Sequence, residues 1–190
     1  MEILRHPHPA LQWESRAVQE ITSELRATIE AMFALMYAAR GVGLAANQVG
    51  LPFRFFVINI ASDPEEKDEE FVFINPEITR RKGSAEGEEG CLSLPELYGP
   101  VRRAEEIVVD AFDLQGQGFQ MSLEDLPARV VQHETDHLDG IMFIDRMTES
   151  SRRELEPQIQ DFERQFEQQQ KAGTIASNEE LRKRLEELDI

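Results

Sequence analysis

The sequence has only one cysteine, Cys91, among its 190 residues, so a disulfide within the chain is excluded. A lone cysteine in a reducing compartment packs in the core, binds a metal or acts as a nucleophile.

Long apolar runs are also lacking. The least polar stretch, residues 31–53, is interrupted by Arg40, Asn47, Gln48 and several glycines, and it does not predict a membrane span. We therefore expect no membrane association.

Basic residues are scarce as well. Lysine and arginine together number 20 against 37 acidic residues, which gives a formal net charge of −17. This balance opposes general attraction to DNA and to anionic membrane surfaces. Residues 1–9 contain no uninterrupted apolar run of the kind that a secretory signal requires. The sequence thus predicts a cytoplasmic protein that does not bind DNA.

The length of the chain and its apolar content of 41% fit one compact domain with a substantial core. We expect a single catalytic domain over residues 1–170 and a flexible or helical extension over residues 171–190. A monomer is the expected oligomeric state.

Hydrophobic periodicity and turn residues divide the first two thirds of the chain into recognisable elements. Residues 23–39 repeat apolar side chains at helical spacing, and residues 41–52 are rich in small side chains, which is typical of a loop close to a ligand. The pattern then predicts strands at 54–60 and 71–74, a solvated connection at 62–70, a turn at Asn75 and Pro76, and a β-hairpin over 105–123.

The remaining third is predicted to be helical. A helix over 126–138 tolerates Pro127 in its first turn and ends near Gly140. After Met147 an apolar stripe predicts a polar outer helix, and we expect residues 171–178 to be flexible. Leu181, Leu185 and Leu188 have helical spacing, but the charged composition around them favours a solvated, frayed helix.

The segment His133-Glu-Thr-Asp-His137 carries the strongest chemical pattern. Two imidazoles four residues apart on a helix lie on one face and can share a metal ion. Glu134, between them, can reach a water molecule beside the metal and act as a general base. The alternative is that His133 and His137 are ordinary residues on the surface of a helix.

Cys91 is the candidate third ligand, because catalytic zinc-type sites use three protein ligands and leave one position open. Two alternatives stay open from the residues alone: Cys91 can be a buried apolar residue, or a nucleophile paired with histidine. His6 and His8 have no spacing that connects them to the other candidates, so we expect them at the surface.

Three segments in this order resemble the signature motifs of peptide deformylases: Gly41-Val-Gly-Leu-Ala-Ala-Asn-Gln48, Glu89-Gly-Cys-Leu-Ser-Leu-Pro95 and His133-Glu-Thr-Asp-His-Leu-Asp-Gly140. The resemblance covers roughly residues 1–147. It implies an α+β fold with antiparallel β-sheets around a central metal-binding helix and a further C-terminal helix. Asn47 departs from the small residue that is usual at its position, whereas Gln48 is in place.

The resemblance also implies an activity: hydrolysis of the formyl group from N-formyl-methionine at the start of newly made polypeptides, with release of formate. It assigns Cys91, His133 and His137 as ligands of one divalent metal ion. Iron(II) is expected first, with zinc, nickel and cobalt as alternatives. Glu134 is implied as the proton-transferring group, and the Gln48 amide and the Leu92 backbone N–H as donors to the oxyanion.

By the same resemblance, Val42, Gly43, Leu126 and Val130 bind the substrate, with the backbone near Gly43 pairing with the peptide and the other three lining a methionine pocket. Arg129 stands where an aliphatic residue is common, which leaves pocket size and rim charge open. One residue pair and one single residue complete these expectations. Glu89 and Arg103 are implied to form an ion pair that steadies the Cys91 strand, and Tyr98 is expected to border the substrate groove.

Two rival functions predict different ligand sets. A zinc endopeptidase generally takes its third ligand from a downstream histidine or glutamate, and no histidine follows His137. A metal-stabilised interaction module needs four protein ligands.

The resemblance also implies contact with the ribosome, since formylated chains emerge at the ribosomal exit tunnel. The acidic C-terminal tail of this chain makes that contact weaker.

Overall fold

A computed structural model describes residues 1–188, which form two antiparallel sheets and five α-helices. Among these residues no helix is both long and apolar enough to cross a membrane. The α-helices are α1 (Ser23–Ala38), α2 (Asp125–Leu138), α3 (Phe143–Arg146), α4 (Glu149–Lys171) and α5 (Asn178–Glu187). The strands are β1 (Gly43–Ala45), β2 (Phe55–Ile58), β3 (Phe71–Lys82), β4 (Ala85–Cys91), β5 (Leu94–Arg103), β6 (Glu106–Phe112) and β7 (Gly118–Glu124). The α+β fold implied by the resemblance is confirmed.

The five-stranded sheet has the order β1-β2-β3-β6-β7, with every pair antiparallel, and β4 and β5 form a separate two-stranded sheet. β2 is buried along its whole length because helices cover both faces of the sheet there. Phe55 and Val57 pack in the cluster that contains α1, whereas Phe56 and Ile58 pack in the cluster that contains α2. The sheet therefore holds α2 in place from one side.

A third apolar cluster joins the small sheet to the C-terminal helices. Leu97 and Val101 of β5 pack with Phe143 of α3 and Ile159 of α4. Gly140 ends α2 with a φ of 72°, and a Cβ at this position would lie 2.7 Å from the backbone oxygen of Gln12. α2 thus lies between the two sheets and is held at its C-terminal end by the N-terminal segment.

The predictions for α1, α2, the outer helix and the hairpin β6–β7 are confirmed. The turn predicted at Asn75 and Pro76 is wrong, because β3 continues through it to Lys82. Asn75 adopts a φ of 52° and the pairing with β6 shifts register between Ile74 and Glu77. This bulge absorbs the proline, which lacks a donor for the ladder.

Two expectations at the chain ends are also wrong. His6 and His8 are buried, because α4 folds over the N-terminal segment and places Phe166 edge-on against His8 at 6.0 Å between ring centroids. α5 is not solvated all round. It packs against the 3-10 helix Pro9–Gln12 with Leu181 and Leu185 buried. The turn before α5 is held by hydrogen bonds such as Thr174 Oγ1 to the Gln169 carbonyl at 2.9 Å.

Candidate metal centre

The structure brings the three predicted ligands together. One donor atom from each of Cys91, His133 and His137 lies within 4.8 Å of the others, and Cys91 Sγ is 3.3 Å from His137 Nε2. β4 supplies the cysteine at its last residue, and α2 supplies both histidines from one face. Because His133 is 9% and His137 1% exposed, the alternative that they are surface residues is wrong.

This set of atoms fits a divalent transition metal. A thiolate with two imidazoles suits borderline-soft ions such as zinc and iron(II). His133 Nδ1 is 3.0 Å from Glu89 Oε2, so its Nε2 is left for a ligand. Burial would lower the pKa of His133, but Cys91 and Glu89 outweigh it and raise that pKa to about 10. The anionic neighbours that favour a proton on this ring also favour a metal cation.

Glu134 is buried beside these ligands without being one of them. Its Oε2 has no hydrogen-bond partner among the described residues. Burial raises the pKa of Glu134 to about 7, which suits a group that takes and returns a proton near neutral pH. A Cβ at Gly43 would lie 2.8 Å from the carboxyl carbon of Glu134, so glycine lets β1 approach this carboxylate closely.

Gln48 lies in the 3-10 helix Ala46–Val49, with its amide oriented by hydrogen bonds on both sides. The Ala45 N–H donates to Oε1 at 2.8 Å, and Nε2 donates to Cys91 Sγ at 3.4 Å and to Ser93 Oγ at 3.3 Å. The amide donor is therefore turned towards the metal ligands. Ser93 is fully buried and lies in the segment of residues 89–95, but nothing in the sequence marks it as a partner of Gln48.

A cavity of about 630 Å³ opens onto these groups. Its wall includes all four residues that the resemblance assigned to the substrate, and also Gln48, Leu92, Tyr98, His133 and Glu134. β1 is an edge strand of the five-stranded sheet, so the unpaired side of its backbone is free to accept another strand. Leu126 is half exposed and stands at the rim.

Behind the ligands, charged side chains form a buried network. Glu89 accepts hydrogen bonds from Arg103 Nε at 2.9 Å, Arg103 Nη2 at 2.9 Å and Arg129 Nη1 at 2.7 Å. Burial alone would raise the pKa of Glu89, but hydrogen bonds from His133 and Arg103 hold it well below its usual range. The expected ion pair of Glu89 with Arg103 is confirmed, and the Arg129 charge is bound inside the network.

Asp136 extends this network. This residue was not assigned a structural role from the sequence. It accepts a hydrogen bond from Arg103, and Arg146 donates to it from Nη2 at 2.7 Å. Its position within the two-histidine segment was the sequence signal available, because Arg103 is 33 residues away and Arg146 lies beyond the end of α2. Asp136 thus ties α2 to β5 and α3.

Comparisons with known proteins agree with this geometry. The family model described as polypeptide deformylase matches residues 1–153. A peptide deformylase of Rhodopirellula baltica is 45% identical, covering 95% of this chain and 90% of that protein. One from Acidobacterium capsulatum is 48% identical, covering 77% of this chain and 85% of that protein.

Solved structures show the same fold. Peptide deformylase 1B of Arabidopsis thaliana, in complex with an inhibitor, superposes with a TM-score of 0.85 at 38% identity and covers 89% of this chain and 93% of that one. Peptide deformylase of Plasmodium falciparum gives a TM-score of 0.85 at 32% identity, covering 87% and 97%.

Proposed function

The chain belongs to the peptide deformylase family, and we propose on this premise that Cys91, His133 and His137 hold one divalent metal ion while Glu134 and Gln48 carry the chemistry. Enzymes of this family remove the formyl group from N-formyl-methionine at the N-terminus of newly made polypeptides and release formate. The protein is a metal-dependent hydrolase with this activity.

Iron(II) is the metal we propose, with zinc, nickel and cobalt as substitutes that the same ligands accept. When bound, a divalent ion here lowers the pKa of a water molecule and polarises the formyl carbonyl. The observation that carries the proposal is the buried Cys91, His133 and His137 cluster, with the unpartnered Glu134 oxygen beside it.

Glu134 takes the proton from the attacking water and later returns it to the nitrogen of the leaving amine. Its raised pKa leaves both protonation states accessible near neutral pH. The Gln48 amide and the Leu92 backbone N–H donate to the oxyanion of the tetrahedral intermediate. One such donor is typically worth about 3 kcal/mol of the barrier. Ala45 supports this role because its N–H fixes Gln48 Oε1 and leaves the amide nitrogen as the donor.

The substrate methionine binds in the cavity lined by Val42, Leu126 and Val130, beside the ring edge of His133. The peptide backbone pairs with β1 near Gly43, a mode of recognition that depends little on side chains beyond the first residue. Together these contacts place the formyl group beside Glu134.

The wider setting of the reaction also belongs to this proposal. We propose one catalytic domain over residues 1–170, which acts as a monomer in the cytoplasm without binding DNA or membranes. Its partners are formylated nascent peptides and, near the exit tunnel where these emerge, the ribosome. The net charge of −17 supports the exclusion of DNA.

The test is formate release from formyl-Met-Ala-Ser by the iron(II)-loaded protein under anaerobic conditions. We expect Glu134→Gln to lower kcat by about 10²- to 10⁴-fold with unchanged metal content. Glu124→Gln, an exposed acid outside the cavity, serves as the control and should keep wild-type kcat. Equal rates for wild type and Glu134→Gln would contradict the proposed role. A chelator should abolish the activity, and added iron(II), cobalt or nickel should restore it.

A further inference from the structure

A second cavity lies next to the catalytic one, between the two ends of the chain. We call it the terminal groove. It has a volume of about 650 Å³ and lies between the N-terminal segment, the end of α1 and the turn after α4. About half of its wall is apolar, from residues that include Ile3, Leu4, Leu35, Phe166 and Ile175, and the polar part includes Glu2, Arg5, His8, Gln169 and Thr174. The family's reaction at the metal centre gives this groove no role.

The terminal groove is continuous with the catalytic cavity. Ile3, Arg5 and Ala39 line both cavities. Arg5 is fixed at this junction, because its Nη1 donates to the Leu92 carbonyl at 2.8 Å, next to the metal-ligand strand. A molecule bound in the catalytic cavity can therefore extend past Arg5 into the groove without leaving the protein surface.

The arrangement of β1 gives a direction to such a molecule. The formyl end of a bound peptide lies beside Glu134, and Glu134 is adjacent to Gly43 of β1. Beyond Gly43 the chain runs into Ala45 and Ala46, which are fully buried and leave no exit. A peptide paired with the edge of β1 must consequently leave in the opposite direction, past Gly41 towards Ala39, where the two cavities meet.

The distance sets which substrate residues arrive at the groove. Ala39 and Gly43 are four residues apart, which is at most about 13 Å at roughly 3.3 Å per residue. An extended peptide covers that span with about four residues. Ala39 is the C-cap of α1 and Arg40 has a φ of 57°, so the actual span is shorter than this limit. The fourth and fifth residues of a bound polypeptide thus lie at or beyond the junction, against the wall of the terminal groove.

We propose that the terminal groove binds the side chains of residues four and five of the formylated polypeptide and favours apolar ones. This inference rests on the proposed function, because the formyl end must be held at Glu134. A polypeptide fits better than a small molecule, since the groove begins at the substrate cavity and lies open to solvent for a continuing chain. The turn between α4 and α5 is then part of the substrate site.

The experiment compares three peptides with the metal-loaded enzyme: formyl-Met-Ala-Ser, formyl-Met-Ala-Ser-Ser-Ser and formyl-Met-Ala-Ser-Leu-Leu. We expect the KM of the leucine peptide to be about three- to tenfold below that of the serine peptide, at similar kcat. The reason is that the leucine side chains are removed from water when they bind in the groove. Calorimetric titration with the deformylated products Met-Ala-Ser-Leu-Leu and Met-Ala-Ser-Ser-Ser should give the same ratio of affinities.

Ile175→Glu places a charge in the apolar wall and should remove the preference for leucine, and Ile175→Ala should reduce it. Leu114→Glu is the matched control: Leu114 is half buried like Ile175 but borders a different cavity, and it should leave the preference intact. Equal KM values and equal product affinities for the two pentapeptides would overturn the groove proposal. Formate release from none of the peptides would instead contradict the proposed function, and the product titration would still decide on the groove.

Discussion

Arg129 shows how one side chain can join the two parts of the candidate metal centre. From α2 it donates to Glu89 Oε1 at 2.7 Å, to the Val101 carbonyl at 2.9 Å and to the Ala85 carbonyl at 3.1 Å. It therefore fastens the helix with both histidines to the hairpin that carries Cys91. Its charge is bound by Glu89, so the charged pocket rim that the sequence left open does not arise from this residue.

We predict that Arg129→Leu weakens metal binding by about tenfold or more, a typical cost for residues that orient ligands. The measurement is chelator competition followed by the visible spectrum of the cobalt-loaded protein, so it does not depend on turnover. Arg102→Leu is the control, because Arg102 is an exposed arginine on the same hairpin, 3.6 Å from Glu86. Equal affinities in the two variants would show that Arg129 does not steady the ligands.

His8 makes the stability depend on pH. Its Nδ1 accepts the Ala10 N–H at 3.1 Å, and burial lowers the pKa of His8 to about 4. Between that value and the ordinary pKa near 6.5, the unfolded chain binds a proton that the folded chain does not. The stabilisation is full above about pH 6.5, and up to about 3 kcal/mol is lost as the pH falls to about 4.

The test is urea unfolding of wild type and His8→Asn at pH 7.5 and pH 5, with equal metal loading. Asparagine keeps an acceptor at the helix start but does not titrate. We expect the variant to lose less stability on acidification, while losses from other groups cancel in the comparison. A difference between the two proteins that stays constant with pH would exclude His8 as the source.

α5 is the element whose role differs most from its composition. Its charged sequence favours a solvated helix, yet Leu181 and Leu185 are buried. Arg16 donates to the carbonyls of Leu185, Glu186 and Leu188 at distances of 2.5–3.4 Å and so closes the last turn. The N-terminal segment thus provides the packing surface and the donors for the last carbonyls that a short isolated helix lacks.

We predict that Leu185→Ala destabilises the docking of α5 by about 2–3 kcal/mol, since it removes a buried leucine. Hydrogen exchange should show faster exchange of the α5 amides, with the amides of α2 unchanged. Arg182→Ala, an exposed substitution on the same helix, is the control and should leave both sets unchanged. Rapid exchange of α5 in the wild type would mean that the helix is frayed after all.

The elements that the sequence predicted well are those with local causes. α1 and α2 follow from apolar spacing and β6–β7 from alternation around glycines. β4, by contrast, has the composition Ala-Glu-Gly-Glu-Glu-Gly-Cys, which is poor in strand-forming residues. It is a strand because it pairs with β5 along its length in a hairpin, and the composition of β4 itself does not predict that pairing.

The candidate site divides in the same way. The proposed ligands His133 and His137 and the proposed base Glu134 follow from motif chemistry. Cys91 was one of several alternatives from the residues alone, and Gln48 needed the resemblance, because a glutamine in a small-residue loop has no spacing of its own. Arg129 contacts Glu89 and Asp136 contacts Arg103, partners 40 and 33 residues away in the chain, so these contacts appear only in the fold. The terminal groove could not be predicted either, since it forms between the two ends of the chain.

The charge of the whole molecule has its own consequence for stability. A net charge of −17 makes the folded chain repel itself, because folding brings the exposed carboxylates closer together than they are in an unfolded chain. Residues 63–70, an exposed connection with six acidic residues and one lysine, concentrate this repulsion. The ion pairs that Arg103 forms with Glu89 and with Asp136 are buried, so added salt screens them much less.

We therefore predict that raising KCl from 20 mM to 500 mM increases the melting temperature, by about 2–4 °C for each kcal/mol of repulsion removed. The double variant Glu65→Gln/Glu66→Gln should melt higher than wild type in low salt and gain less from added KCl. A variant with two exposed arginines replaced, Arg80→Gln/Arg81→Gln, changes the charge in the opposite direction and should gain more. A lower melting temperature of the wild type in high salt would contradict this prediction. It would mean that attraction between oppositely charged surface residues outweighs the repulsion between the carboxylates.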